Sequence, residues 1–108
     1  MYLDDILEAI TKIQGYTEGM NMQSFSASSL VIDAVIRNIE VIGEAAKNLP
    51  EEIKEHHPEV PWSQIIGTRN KVVHQYFGVD LDIIWHTLQE ELPIFYGQVK
   101  QIRSKFTG

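Results

Sequence analysis

The chain of 108 residues contains no cysteine, which excludes disulfides and thiolate metal sites. A cytoplasmic location is compatible with this absence, and we expect one. No run of about 18 apolar residues occurs, so no membrane-spanning helix is predicted, and the acidic start MYLDDILEAI argues against a signal peptide. The chain has 44% hydrophobic residues, and 108 residues are enough to bury one hydrophobic core. A single domain over residues 1–108 is therefore predicted.

The sequence also lacks the alternating apolar pattern of β-strands. Apolar residues instead recur three and four positions apart along nearly the whole chain, which indicates helices. We expect Pro93 to kink or divide the last helix, and turns over residues 24–29 and after Pro50. The predicted helices cover residues 3–17, 28–49, 61–77 and 81–106. This pattern predicts an all-α, up-and-down bundle of four to five helices.

Acidic residues are absent from two parts of the chain. The net charge of −6 argues against general nucleic-acid binding. However, no Asp or Glu lies between Glu59 and Asp80, and none follows Glu91, although Lys and Arg occur in both regions. An anionic partner would therefore bind the middle of the chain and its C-terminal part.

The second predicted helix, residues 28–49, has apolar residues on more than one side. Its polar side chains form one narrow strip on a helical wheel, and a surface helix requires only one apolar face. The strip consists of Asp33, Arg37, Glu40, Glu44 and Lys47. Two explanations remain open: the helix is covered wholly by its own neighbours, or a second copy of the chain covers part of it. We expect a homodimer.

The stretch RNKVVHQY, residues 69–76, combines apolar and strongly polar side chains within one predicted helix. At about 100° per residue, Arg69 and Tyr76 project from the middle of the apolar stripe. Asn70 and His74 border that stripe as an i, i+4 pair. Such a face is typical of either a buried polar network or a functional site.

Arg69 requires an anionic or wet neighbour, because its guanidinium cannot lose its proton on burial. The polar strip of the preceding helix supplies two candidate carboxylates, Glu40 and Glu44, and the pattern does not decide between them. A buried Arg–Glu pair with a purely structural role is the simplest interpretation.

The spacing of this stretch resembles a known motif. Arg69 and the polar Asn70, four residues between Arg69 and His74, and then Tyr76 are similar to the R-x4-H-x-Y motif of HepT-like toxins, in the HEPN ribonuclease superfamily. The segments DAVIRNIEVIGEAAKNLP and HPEVPWSQIIGTRNKVVHQYFGVDLDIIW match that family in order and spacing, and the resemblance covers the whole chain.

This resemblance implies an all-helical bundle that dimerises and brings two motifs to a shared cleft. It also implies a metal-independent endoribonuclease toxin that acts on RNA and requires no cofactor. Its partner would be a minimal nucleotidyltransferase antitoxin that adds AMP to Tyr76.

The side chains fit this chemistry. Metal-free RNA cleavage requires a base near the ribose 2′-hydroxyl and a cation at the phosphate. His74 has the side chain whose pKa lies nearest neutrality, Arg69 offers a planar fork for phosphate, and Asn70 could orient the histidine. A non-catalytic nucleotide- or RNA-binding module that partners a nucleotidyltransferase is the alternative.

The remaining histidines have no spacing that resembles a zinc site. We expect His56 and His57 in a solvated loop, and His86 packed or at the surface. No metal site is predicted.

Overall fold

The computed structural model of the chain describes residues 2–74 and 81–106, and for residues 69–74 it describes the helical backbone alone. The described residues form helices and no strand, which confirms the all-α prediction. The α-helices are α1 (Tyr2–Thr17), α2 (Met22–Ser26), α3 (Ser29–Lys47), α4 (Glu51–His56), α5 (Trp62–His74), α6 (Leu81–His86) and α7 (Leu92–Ser104), and one π-helical segment, the π turn (Thr87–Glu91), joins α6 to α7.

Helix α3 lies at the centre of the bundle. It begins after Ser28, whose hydroxyl accepts a hydrogen bond from the Val31 amide at 3.3 Å, as an N-cap residue does. It packs against α1 and against α5, so neighbouring helices cover much of its apolar surface. Ala45 is buried and Val41 half-buried, whereas Leu30 remains 80% exposed at the start of the helix.

The core joins both ends of the described chain. Helix α7 packs along α1, and Arg103 Nε donates to Asp4 Oδ1 at 2.7 Å. Two aromatic contacts tie the shorter elements to this core: Phe25 meets Trp85 at 5.0 Å between ring centroids, and Trp62 meets Phe95 at 5.9 Å.

Two segments predicted as turns are short helices instead. Helix α2 (Met22–Ser26) includes residues 24–26 of the predicted turn at 24–29. It forms because Asn21 and Ser24 cap each other reciprocally and because Phe25 is buried in the core. Helix α4 replaces the acidic turn after Pro50, and its first turn contains Glu51 and Glu52, where negative charge favours a helix. Segments this short contain too few turns for an apolar repeat to predict them.

Pro93 divides the last predicted helix, as expected. The chain changes there from α6 through the π turn into α7, with Pro93 in the first turn of α7. The Leu92 amide donates to the Thr87 carbonyl five residues earlier. This wider turn accommodates Pro93, because proline has no N–H to donate and its ring would clash with the carbonyl four residues before it in a regular α-helix.

From the sequence, Gly78 is predicted to end the helix over residues 61–77, and Asp80 is predicted to cap the next helix. Both residues lie outside the described part of the chain. In the described part of the chain, no helix has the length and apolar content needed to cross a membrane.

Candidate active site

Helix α5 carries the polar motif, and its first turn is held at two points. Trp62 is 8% exposed, and its Nε1–H donates to the His57 carbonyl at 3.1 Å, while its ring packs edge-on against Phe95. The Ile65 amide donates to the Pro61 carbonyl at 3.0 Å. The direction of the helix is therefore set at the end opposite the motif.

The backbone of α5 is helical through Arg69, Asn70 and His74. Helical geometry separates positions 69 and 74 by roughly 7.5 Å along the axis and about 140° around it. The side chains of these three residues, and the whole of Tyr76, lie outside what the structure describes. Their predicted roles stay predictions.

A groove of about 460 Å³ lies between α5 and the α6–π-turn segment, and we name it the α5–α6 groove. Three isoleucines contribute apolar surface to it, Ile39, Ile83 and Ile84. Its polar lining includes Gln64, Thr68, Asp82, His86, Thr87 and Glu91, and Gly67 also lies along it. On α5, Gly67 precedes His74 by seven residues, which is two turns and about 20° around the axis. The groove therefore runs beside the helix that carries the motif.

Four polar residues of the α5–α6 groove make hydrogen bonds within the protein. Gln64 Nε2 donates to Glu91 Oε1 at 2.5 Å and links α5 to the π turn. The Thr68 hydroxyl donates to the Gln64 carbonyl at 2.9 Å, and the Thr87 hydroxyl donates to the Ile83 carbonyl at 3.0 Å. Because both hydroxyl protons are used in this way, the hydroxyl oxygens can only accept further bonds.

Apart from His86, the residues that line the α5–α6 groove have no pattern in the sequence that marks them as a site. His86, expected to pack or to lie at the surface, is exposed and lines the groove. Gln64 and Glu91 are 27 residues apart, and no sequence spacing indicates that they meet. The spacings Gln64–Thr68 and Thr87–Glu91 place each pair on one helical side, which is the only local signal available.

Glu40 and Glu44, the candidate partners of Arg69, lie beside a second groove. This groove of about 440 Å³ separates α3 from the start of α1 and is also lined by Tyr2, Asp5 and Arg37. Arg37 Nη1 lies 3.7 Å from Glu40 Oε2. The side-chain amide of Asn48 donates through Nδ2 to Glu44 Oε1 at 3.4 Å. The pairing of either carboxylate with Arg69 stays a prediction, because the Arg69 side chain lies outside the described residues.

His56 is exposed, as expected, but it is the last residue of helix α4 and does not lie in a loop. His57 lies in the loop, as expected, but the expectation that it is solvated is wrong. The His57 side chain is only 14% exposed, and its Nδ1 lies 3.4 Å from Glu59 Oε2. Among the side chains that the structure describes, no three His, Asp or Glu residues gather as metal ligands would.

The family described as Ribonuclease HepT-like matches residues 6–102, a range that contains α5 and the residues that line the α5–α6 groove. The chain belongs to the HepT-like ribonuclease family. It is thus a ribonuclease of the HEPN type, and the resemblance inferred from the motif is confirmed.

Individual members of the HepT-like family are similar over nearly the full chain. A protein named "Probable ribonuclease HepT" from Thermococcus cleftensis is 41% identical over 94% of this chain and 93% of its own length. A protein named "Putative RNase" from Caldanaerobacter subterraneus subsp. tengcongensis is 41% identical over 96% of this chain and 93% of its own length. Another protein named "Putative RNase", from Methanocaldococcus jannaschii, is 37% identical over 99% of this chain and 88% of its own length. No solved structure matches the chain significantly.

Proposed function

We propose that this HepT-like ribonuclease is the toxin of a toxin–antitoxin pair and that it cleaves RNA at the Arg69–His74 motif. The observation that carries the proposal is the position of Arg69, Asn70 and His74 on one helix within the range that matches the family. The partner that we propose is a minimal nucleotidyltransferase that acts as antitoxin.

In the proposed reaction, His74 removes the proton from a ribose 2′-hydroxyl, and the 2′-oxygen attacks the adjacent phosphorus. The bond from phosphorus to the 5′-oxygen breaks as the new bond forms, and a general acid donates a proton to that oxygen. Arg69 binds the phosphate oxygens, on which negative charge increases in the transition state. Asn70 orients His74 or binds a phosphate oxygen. No metal ion takes part in this scheme.

The proposal includes a homodimer, because one motif contains a single histidine. A base and an acid on opposite sides of the phosphate then require His74 from each of two copies. Joining the two segments without acidic residues, one from each copy, also creates a positively charged cleft in a protein whose net charge is −6.

The test compares RNA cleavage by wild-type protein, Arg69→Ala and His74→Ala in EDTA. Each variant is expected to lose roughly 10²–10⁴-fold in rate, while circular dichroism stays unchanged. Lys12→Ala is the matched control, since it removes one positive charge from an exposed pair with Glu8 on α1, and it should cleave at the wild-type rate.

Two results would contradict the proposal. Undiminished cleavage by His74→Ala would remove the histidine from the mechanism, and wild-type activity that disappears in EDTA and returns with magnesium would exclude metal-free catalysis. RNA binding without any cleavage would favour the alternative, a non-catalytic binding module.

A further inference from the structure

We propose that the α5–α6 groove is a nucleobase subsite that prefers a base with an amino group on its edge, such as adenine or cytosine, over uracil. The inference rests on the proposed RNA-cleaving function, because it assigns the groove to a nucleotide close to the bond that is cleaved. It concerns base preference, which the motif itself does not specify.

The size and the walls of the groove suit a flat aromatic ring. Its volume of about 460 Å³ lies within the range of small-molecule sites, which are mainly apolar with a few placed polar groups. Ile83 lines the groove and is 61% exposed, so it offers apolar surface to a ligand. Ile39 and Ile84 add apolar surface from α3 and α6.

The charge of the groove favours a base over a phosphate. Asp82 and Glu91 both line it, and carboxylates repel a phosphate anion at short range. The RNA backbone therefore runs outside the groove, and the base points inward.

The hydrogen-bonding groups of the groove select among bases. Thr68 and Thr87 present hydroxyl oxygens whose protons already bind backbone carbonyls, and Glu91 presents a carboxylate held by Gln64. These groups accept hydrogen bonds. An exocyclic amino group supplies donors to them, whereas the corresponding position of uracil is a carbonyl oxygen, which would leave acceptors facing each other.

The position of the groove connects it to the motif. Gly67 lies on it, and the backbone of His74 follows two turns later, roughly 10.5 Å along α5. A base in the groove would therefore belong to a nucleotide near the phosphate that His74 and Arg69 act on.

The first experiment measures equilibrium binding of short oligonucleotides of deoxyadenosine, deoxycytidine or deoxyuridine, which lack the 2′-hydroxyl that cleavage requires. Wild-type protein should bind the first two about tenfold more tightly than deoxyuridine, the effect of one or two hydrogen bonds to charged or polar acceptors. Glu91→Gln and Thr87→Val should each reduce this preference to about threefold or less. Glu90→Gln is the matched control on the same π turn, because Glu90 is exposed and is not among the residues that line the groove, and it should keep the full preference.

The second experiment fills the groove. Apart from the backbone of α5 and the two neighbouring residues in the chain, no described heavy atom lies within 4 Å of a Cβ built at Gly67, so Gly67→Ala should fold as wild type does. Gly67→Leu extends into the groove and should weaken binding of the deoxyadenosine oligonucleotide at least tenfold, at an unchanged circular dichroism spectrum.

Equal binding of all three oligonucleotides by wild-type protein, or equal loss of preference in Glu90→Gln and Glu91→Gln, would overturn the subsite. Both readouts are independent of catalysis. Loss of the proposed function would appear as RNA cleavage that survives His74→Ala, and loss of the subsite would appear as absent base preference while cleavage still depends on His74.

Discussion

At the scale of single residues, the hydrogen bond between Gln64 and Glu91 links α5 to the π turn. Its 2.5 Å separation joins an amide to a carboxylate, the stronger kind of hydrogen bond. Gln64 is exposed and Glu91 half-buried, so solvent reduces its net contribution. Its main consequence is to hold the Glu91 carboxylate at the groove.

The Gln64–Glu91 contact can be measured with a double-mutant cycle. We expect Gln64→Ala and Glu91→Ala to show a coupling free energy of roughly 0.5–1 kcal/mol in urea unfolding, as for partly exposed charged contacts. Additive effects of the two substitutions would show that the contact does not contribute to stability. Thr11→Ala combined with Glu91→Ala serves as the uncoupled control, because Thr11 lies on α1 and donates to the Leu7 carbonyl.

Tyr76 is the residue to which we propose that the nucleotidyltransferase antitoxin adds AMP. An AMP group on its hydroxyl would bring a phosphate to the Arg69 guanidinium and an adenosine into the space that RNA needs. Tyr76→Phe removes the acceptor oxygen but keeps the ring, so most cleavage activity should remain while the antitoxin no longer neutralises the protein. The test is to co-express each variant with a minimal nucleotidyltransferase, to measure the intact mass of the HepT-like protein and to follow the growth of the host cells. An AMP mass on another residue, or full neutralisation of Tyr76→Phe, would assign the switch elsewhere.

At the scale of elements, α5 depends on a contact with the chain before it and on a contact with α7. Trp62 makes both, through its bond to the His57 carbonyl and its packing on Phe95. Pro61 precedes the helix and supplies the carbonyl for the Ile65 amide. A change at Trp62 is therefore expected to loosen the first turn of the helix that carries the motif.

Trp62→Phe should lower the free energy of unfolding by about 1–3 kcal/mol, because it removes the indole N–H from the His57 carbonyl and reduces buried area. Urea unfolding followed by circular dichroism measures the change. Trp85→Phe is the comparison, since Trp85 is half-buried and its partner Phe25 can still pack on a phenyl ring; its loss should be smaller. A variant Trp62→Phe as stable as wild type would mean that the contact does not support α5.

At the scale of the whole molecule, α3 connects the fold to the proposed dimer. Its neighbours α1 and α5 cover much of its apolar surface, which supports the interpretation that α3 is the central helix of the bundle. Leu30 nevertheless stays 80% exposed, on the side that also contains Ala34 and Val41, both half-buried. This side is available to a second copy.

We expect a homodimer at micromolar concentration, with twice the chain mass of 12.4 kDa by size-exclusion chromatography with light scattering. Leu30→Glu should shift the population toward monomer, because it introduces a charge on the proposed contact side. Ile94→Glu, at an exposed position on α7, is the matched control and should remain dimeric. A wild-type monomer would exclude both the dimer and a cleft shared by two motifs.

The sequence alone determined the helical class, the extents of α1 and α3, the division at Pro93 and the placement of Arg69, Asn70 and His74 on one helix, because these features depend on residues within a few positions of each other. Tertiary structure decided which distant residues meet: Gln64 with Glu91 across the groove, Trp62 with Phe95, and Asp4 with Arg103, 99 residues apart. It also set Glu40 and Glu44 beside Tyr2 and Asp5. Helical periodicity predicts which side of each helix is apolar, but the angle and offset at which two helices pack depend on the shapes of all side chains between them, and no local pattern contains that information.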